Sequence, residues 1–393
     1  MVNQSINVVL VITIILSILS IANAVVWIYA FRSIRSSLRK LTRLGSGEHG
    51  RRSRVNVSVI IPVRNEEETI SRLLNSLLDQ VGIDSMEIIV VDDGSTDRTA
   101  AIVREFMGKS DRIRYVRIDE IPCGWAPKPY LYYTGYGLSC GEVLFFIDGD
   151  TWIKTQDLLS RVTELAMKTN GIVSLLPRFS CRTVRCRIIE TLLTTFSHAF
   201  LGFDKVFDRG KRFAWYYGCC WAIRRDLYEE LGTHKVVRES IVEDKDFAEY
   251  IKSRGYEIKV AYTPMYVETK WYDGIGDTID VLARVLRGQG IKRSRAIAGS
   301  ILILLGYYLP IINMIYGLLV YPPLLLLGII QYILLTMDHC QGAHVNGYSK
   351  LYSIVAPLLG IALSIGLFKA ALAKNIVWRG RIIEEPLRIR HDI

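Results

Sequence analysis

The sequence predicts an α/β fold, a mostly parallel sheet in the middle of the chain carried between membrane helices at its two ends. Two observations predict the sheet. Between residues 55 and 270, short Val/Ile-rich runs alternate with helix-period patterns, and strands separated by helices of that length form a parallel sheet covered on both faces. Three of these runs end in acid-bearing turns, and ligands of open parallel sheets bind beyond the carboxyl ends of the strands. A third observation predicts the membrane helices: near both ends lie apolar stretches without a single charge.

Residues 7–31 carry no charge, and about 20 apolar residues suffice to cross a bilayer. No basic segment precedes them and the run exceeds a signal peptide's apolar core, so residues 1–31 are expected to be a retained anchor. Residues 32–54 hold eight Arg or Lys and one Glu, a basic juxtamembrane linker. The domain expected over 55–270 opens with a strand at 57–61. A helix over 66–78 presents Ile70, Leu73, Leu74 and Leu77 on one face. Strands follow at 87–91, 113–118, 143–147 and 172–175, with helices opening near Thr96 and over 130–138. Apolar residues at 189, 192, 193, 196, 200 and 203 mark a helix that either meets lipid or packs on the core. Residues 271–295 form a basic amphipathic segment expected at the membrane interface, with Ile275, Ile279, Leu282 and Leu286 as its stripe. Residues 296–373 hold two to three membrane helices. The charge-free run 296–337 suits two spans that turn at Tyr321-Pro322-Pro323, and 351–368, broken by Pro357, Gly360 and Gly366, reads as re-entrant or interfacial.

Residues 374–393 are a basic tail. The positive-inside rule makes both flanks of the central domain cytoplasmic, so the expected protein is a multi-pass cell-membrane protein with a cytoplasmic catalytic domain. Three later crossings would put the basic tail outside, so either the rule is broken or one C-terminal segment does not cross. The net charge is +10. Its basic tracts lie against the spans, which points to anionic lipid headgroups and not to nucleic acid. The seven cysteines are odd in number and form no Cys-x-x-Cys pair, which speaks against a zinc site or a disulfide framework and suits a reducing cytosol.

Four motifs carry chemistry. Pro62-Val63-Arg64-Asn65-Glu66 ends the first strand; its acids read plainly as first-turn residues favoured by the helix dipole. Asp92-Asp93-Gly94-Ser95 ends the second, with no base nearby in sequence. Its acids can hold a nucleobase or ribose, or else simply turn the chain and cap the next helix. Asp148-Gly149-Asp150 leaves the fourth strand and suits Mn²⁺ or Mg²⁺, which take oxygen ligands from one or two carboxylates plus phosphate. Val242-Glu243-Asp244 opens a helix ending at Gly255, where an acid can serve as general base or as a cap.

Together these motifs resemble family 2 glycosyltransferases, inverting enzymes of the Rossmann-like GT-A fold. More narrowly, they resemble membrane-anchored members that glycosylate lipids such as carotenoid acids or hopanoids. Gly124-Trp125-Ala126-Pro127-Lys128 is similar to that group's Gly-Trp-x-Gly-Lys, with Pro127 in place of the second glycine. The stretches from Trp215 to Arg225, Gly232 to Asp244 and Trp378-Arg379-Gly380-Arg381 resemble further signatures. The likeness covers about 55–290 and the tail. It implies that Pro62, Arg64 and Glu66 line the nucleotide site, Arg64 mainly by its backbone. It also implies that Asp92 or Asp93 holds base or ribose, that Asp148 and Asp150 meet ribose, metal and diphosphate, and that Lys128 helps neutralise the donor. Asp244 would be the general base with Glu243 beside it.

Processive synthases carry Gln-x-x-Arg-Trp after the base; here the region reads Arg284-Val285-Leu286-Arg287-Gly288-Gln289-Gly290, so transfer of one sugar is expected. A UDP-sugar is the default donor and a lipid the acceptor. The alternatives are transfer to polyprenyl phosphate, a nucleotidyltransferase, and a non-catalytic membrane scaffold. The last is disfavoured because every carried acid is intact.

Overall fold

Val- and Ile-rich runs build the sheet that the spacing predicts. The computed structural model describes residues 2–44, 54–272, 274–372, 376–378 and 381–383. The chain divides into two units, one of Met1–Lys40, Cys181–Asp204 and Tyr272–Lys374, the other of Leu41–Ser180, Lys205–Trp271 and Asn375–Ile393.

The second unit holds strands β1 (Val57–Val63), β2 (Met86–Asp92), β3 (Ile113–Arg117), β4 (Val143–Ile147), β5 (Thr151–Ile153), β6 (Gly171–Leu176), β7 (Arg178–Ser180), β8 (Cys220–Arg224), β9 (Glu257–Tyr262) and β10 (Val267–Lys270). Seven make one sheet in the order β3-β2-β1-β4-β8-β6-β9, and β5-β10-β7 make a second. Strands β1 to β4 run parallel, β8 is antiparallel to both neighbours, and β6 pairs parallel with β9. The sheet is therefore mostly parallel, with one reversed strand. Strands β1 and β4 are buried throughout because helices cover the sheet. Val57, Val59, Ile61 and Val63 face a core with Leu73, Leu74, Leu77, Leu159 and Val162. On the other face Ile89 and Val91 meet Leu131 of the helix Pro127–Gly137. Gly135 lets that helix close: a Cβ there would lie 2.4 Å from Ile60 Cγ2.

The expected helix over 66–78 begins at Ile70, and the one expected near Thr96 begins at Thr99. Glu66, Glu67 and Glu68 thus precede the helix and do not sit in its first turn. Ile376–Trp378 and Arg381–Ile383 pair antiparallel, whereas Arg379, Gly380 and residues 45–53 of the expected linker lie outside the described residues.

In the first unit, Asn7–Arg39, Arg293–Leu319 and Pro322–Asn346 are helices long and apolar enough to cross a membrane. The first continues unbroken through the basic residues to Arg39. Pro357–Leu372 has 16 residues, roughly 24 Å of helix against a hydrocarbon core of about 30 Å. Side-chain amides tie the long helices together: Asn313 Nδ2 donates to Ser20 Oγ (2.6 Å) and Gln331 Oε1 (2.7 Å), and Gln331 Nε2 donates to the Ser20 carbonyl (2.8 Å). Such bonds hold helices where water does not compete. The helix Val184–Phe200 lies against Val2–Arg39 and Pro322–Asn346 in this unit, with Asn346 Nδ2 donating to Thr194 Oγ1 (2.9 Å). The apolar residues at 189, 192 and 193 are buried.

The cysteine expectation needs correction. Cys181 and Cys186 form a disulfide, and five cysteines are free. Parity and Cys-x-x-Cys spacing miss it because the first turn of the helix Val184–Phe200 brings the two Cα atoms to 5.4 Å, within bridging range. The cysteines therefore lend no support to a reducing compartment.

Candidate active site

The β1–β4 ladder stops at Ile60 and Phe146, while β1–β2 runs on to Val63 and Asp92. The inner strands part at their carboxyl ends, at the point where the chain crosses from one side of β1 to the other, which is where open α/β sheets bind ligands. Pro62 stands past the last β1–β4 pair, where a missing N–H costs no bond to β4.

Two loops at this end are zippered together. The N–H groups of Asn65, Glu66 and Glu67 donate to Ser95 Oγ (2.9 Å), Thr99 Oγ1 (2.7 Å) and Asp97 Oδ2 (3.0 Å). In return Asn65 Oδ1 accepts from the Thr96 N–H (2.8 Å) and Glu67 Oε2 from the Arg98 N–H (3.0 Å). The exchange holds Asn65 at φ 57°, a left-handed conformation asparagine tolerates better than most residues. It also satisfies N–H groups that lie ahead of the helices Ile70–Leu78 and Thr99–Met107.

Asp92 closes its own turn. Its Oδ1 accepts from Ser95 N–H (2.8 Å) and Oγ (2.6 Å), and its Oδ2 from the Tyr115 hydroxyl (2.6 Å). Burial, then that bond, pushes the Tyr115 phenol up to about 12. Asp93 is fully buried and pairs with Arg64, whose Nη1 lies 3.4 Å from Oδ2 and also donates to the Asp93 carbonyl. The paired acids, with no base near them in sequence, thus have the Arg64 guanidinium beside them in space. Gly94 follows at φ 63°, and a Cβ there would lie 3.9 Å from Arg64 Nη1. Glu66 is buried, accepts from Thr69 Oγ1 (3.1 Å) and covers Gly149, where a Cβ would sit 3.0 Å from Glu66 Cγ and 2.9 Å from Val63 Cγ1. A side chain between Asp148 and Asp150 would therefore displace the first motif.

Lys128 joins the third and fourth motifs. Pro127 is the first residue of its helix, where a fixed φ and absent N–H are tolerated. Lys128 Nζ lies 3.0 Å from Asp148 Oδ2 and 3.1 Å from Glu243 Oε1. Burial works against its charge, but Asp148 and then Glu243 outweigh burial and hold the ammonium well above its ordinary range. One helical turn on, the Tyr132 hydroxyl donates to the Gly218 carbonyl (3.1 Å) and sits 3.3 Å from Asp148 Oδ1. The Asp148 N–H donates to the Cys219 carbonyl (2.9 Å).

Glu243 and Asp244 open the helix Glu243–Ser253. Asp244 Oδ1 accepts from the Lys245 N–H (2.8 Å), and a Cβ on Gly218 would fall 3.0 Å from Asp244 Cβ. Burial first, then the Glu243 charge, pushes the Asp244 carboxyl up to about 7, with Lys128 opposing. Asp150 Oδ1 lies 3.4 Å from Thr269 Oγ1. Among the described residues no cluster of three or more His, Cys, Asp or Glu is placed to hold a metal. Asp148 and Asp150 carry two carboxylates on one turn, and carboxylate oxygens are the donor type that Mg²⁺ or Mn²⁺ take together with phosphate and water oxygens. His234 is buried against Tyr132, Phe146 and Trp221, with Nδ1 2.7 Å from the Tyr228 hydroxyl. Burial, then Lys128, lowers it to about 3, so it packs neutral.

Lys128 thus touches both Asp148 and Glu243, and Gly218, bonded to Tyr132, lies against Asp244. Arg64, Asp92 and Asp93 cluster at the end of β2. Tyr132 and Gly218 were not singled out from the sequence as site residues. The i,i+4 spacing of Lys128 and Tyr132, and the glycine opening the Cys219-Cys220 pair, were the available signals.

Residues 58–232 match the family described as Glycosyl transferase family 2, a span that ends before Glu243 and Asp244. A 4,4'-diaponeurosporenoate glycosyltransferase of Staphylococcus haemolyticus is 35% identical over 124 residues, 31% of this chain and 32% of that protein. A probable glycosyltransferase of Bacillus subtilis, YdaM, is 31% identical over 209 residues, 52% of this chain and 48% of the other. The chain thus spans a third to a half of these curated relatives. Among solved structures, a mannosyltransferase from Pyrobaculum calidifontis, in complex with GDP-Man and Mn²⁺, superposes with TM-score 0.51 at 18% identity, covering 89% of this chain and 98% of that one. Residues 58–232 are a family 2 glycosyltransferase domain, set in a chain with the GT-A fold.

Proposed function

We propose that this protein is a membrane-bound, metal-dependent inverting glycosyltransferase that moves one sugar from a nucleotide-sugar, by default a UDP-sugar, to a lipid acceptor. The observation that carries the reading is Lys128, which bridges Asp148 of the Asp-Gly-Asp turn to Glu243, next to Asp244. It ties a group suited to a diphosphate to a group suited to proton removal.

In this reading Arg64 and Asp93 flank the nucleotide at the end of β2, and Pro62, Glu66 and Asp92 shape that wall. Asp148 and Asp150 would hold Mn²⁺ or Mg²⁺, which when bound stabilises charge on a leaving diphosphate. Lys128 contributes a fixed positive charge beside it. Asp244 accepts the proton of the attacking acceptor hydroxyl. A carboxyl near 7 is well matched to that task, because a base works best with a pKa close to the operating pH. Attack on the anomeric carbon in line with the leaving group, in a single displacement, inverts its configuration. The relatives named for 4,4'-diaponeurosporenoate and the three apolar helices support a lipid acceptor and a membrane setting. The basic flanks support a cytoplasmic domain. The domain limits expected from sequence are retained as working boundaries, with the helix Val184–Phe200 assigned to the membrane-helix unit.

The test is nucleoside diphosphate release by detergent-purified protein with Mn²⁺ or Mg²⁺, over a panel of nucleotide-sugars, with and without lipid extract. Release from one donor, stimulated by lipid and lost in Asp150→Asn, is expected. No release and no nucleotide binding would sink the proposal.

A further inference from the structure

A cavity of about 590 Å³ opens on the end of the first helix, lined by Phe31, Arg32, Arg35, Ser36, Arg39 and Lys40. Its size falls in the usual range for small-ligand sites, roughly 300–1,000 Å³. The spacing 32-36-40 and 35-39 puts the four cations on one face of the helix, while Ile34 and Ser37 on the other face are buried. Ser37 Oγ there accepts from the Phe203 N–H (2.9 Å). Among the described residues no carboxylate pairs with Arg32, Arg35, Arg39 or Lys40. Four like charges within three helical turns repel one another, and the cavity they border has no acid to balance them. An anion is the complement. Three of the four are arginines, whose planar fork fits phosphate oxygens in pairs.

The position of the cavity decides which anion. The cations directly follow the charge-free run, and Val25, Val26, Ile28 and Tyr29 just before them are exposed apolar side chains. A ligand seated here has cations around one end and an apolar helix face beside the other. That is the form of a lipid, not of a free phosphate.

We propose that this cavity seats the phosphate headgroup of one anionic phospholipid, bound by Arg32, Arg35, Arg39 and Lys40 with its acyl chains along residues 25–29. The proposal rests on the membrane placement above and not on sugar transfer. It differs from diffuse attraction of the basic tract to the bilayer because it names one site and four residues.

The test begins by inserting the full chain into nanodiscs of neutral phosphatidylcholine. Failure there refutes the membrane placement, and this proposal with it; success leaves the headgroup question separate. Native mass spectrometry in detergent then follows titration with dioctanoyl phosphatidylglycerol, dioctanoyl phosphatidylcholine or inorganic phosphate. Saturable one-to-one binding of phosphatidylglycerol is expected, at about fivefold loss per cation removed and so roughly 100-fold weaker in R35Q/R39Q/K40Q. The triple variant R51Q/R52Q/R54Q, with equal charge removed from the neighbouring tract, is expected to bind as wild type. R39Q alone, about fivefold weaker, serves if the first triple variant melts early. Equal affinity for the two lipids, equal loss in both triple variants, or inorganic phosphate binding as tightly as phosphatidylglycerol would each overturn the proposal.

Discussion

Replacing Lys128 by Met tests whether the ammonium organises the site. The substitution keeps the length of the side chain and removes its charge. Asp148 and Glu243, 3.0 Å and 3.1 Å from Nζ, are left facing one another without a cation. Each contact has a gross Coulomb energy of about 5 kcal/mol at an effective dielectric of 20. Desolvation offsets much of this in the wild type, so the useful figure is the cost of stripping one partner from a buried pair, about 3–5 kcal/mol. The Asp148 side chain is 24% exposed, against 8% for Glu243, and water reaching Asp148 brings the expectation to the lower end, about 3 kcal/mol. That corresponds to a fall in melting temperature of roughly 6–12 °C. Melting curves of the detergent-purified pair, followed by tryptophan fluorescence, measure it. A variant melting within about 2 °C of wild type would show that the bridge does not hold these motifs together.

Asp244→Asn is expected to lower kcat by about 10²–10⁴-fold with the melting temperature unchanged, whereas retention of most activity would indicate an acceptor already ionised, such as a phosphate. Because the Asp244 carboxyl is pushed up to about 7 and acts when deprotonated, wild-type kcat/KM should rise with pH to a plateau above 7, and a flat profile from pH 5 to 8 would count against its role as base. Gly135→Ala must displace Ile60 Cγ2, 2.4 Å from the new Cβ, and is expected to cost about 1–3 kcal/mol in thermal or denaturant unfolding. Alkylation of the unfolded, unreduced chain should label five thiols and after reduction seven; seven before reduction would rule out the Cys181–Cys186 bond.

How legible the fold was depended on the range of the interactions that set it. Strand positions were clear because Val57–Val63 and Val143–Ile147 are apolar at every position, a pattern that only a doubly covered strand needs. Helix starts were misread where a local signal met a non-local competitor. Glu66-Glu67-Glu68 looks like a first turn, but the chain there is tied as a loop, with the N–H groups of Asn65, Glu66 and Glu67 donating to Ser95, Thr99 and Asp97, and nothing within ten residues announces these partners. The same reasoning separates the acids of the site. Asp92, Asp93, Asp148, Glu243 and Asp244 are alike as letters. In space Asp92 closes a turn, Asp93 meets Arg64, Asp148 and Glu243 share Lys128, and Asp244 stands against Gly218. What sequence reasoning lacked was the register between loops that lie some 30 to 115 positions apart. Lys128 makes the point most sharply: its two acids lie 20 residues ahead in one motif and 115 ahead in the other, so its bridging role exists only once β4 and the helix Glu243–Ser253 have come together.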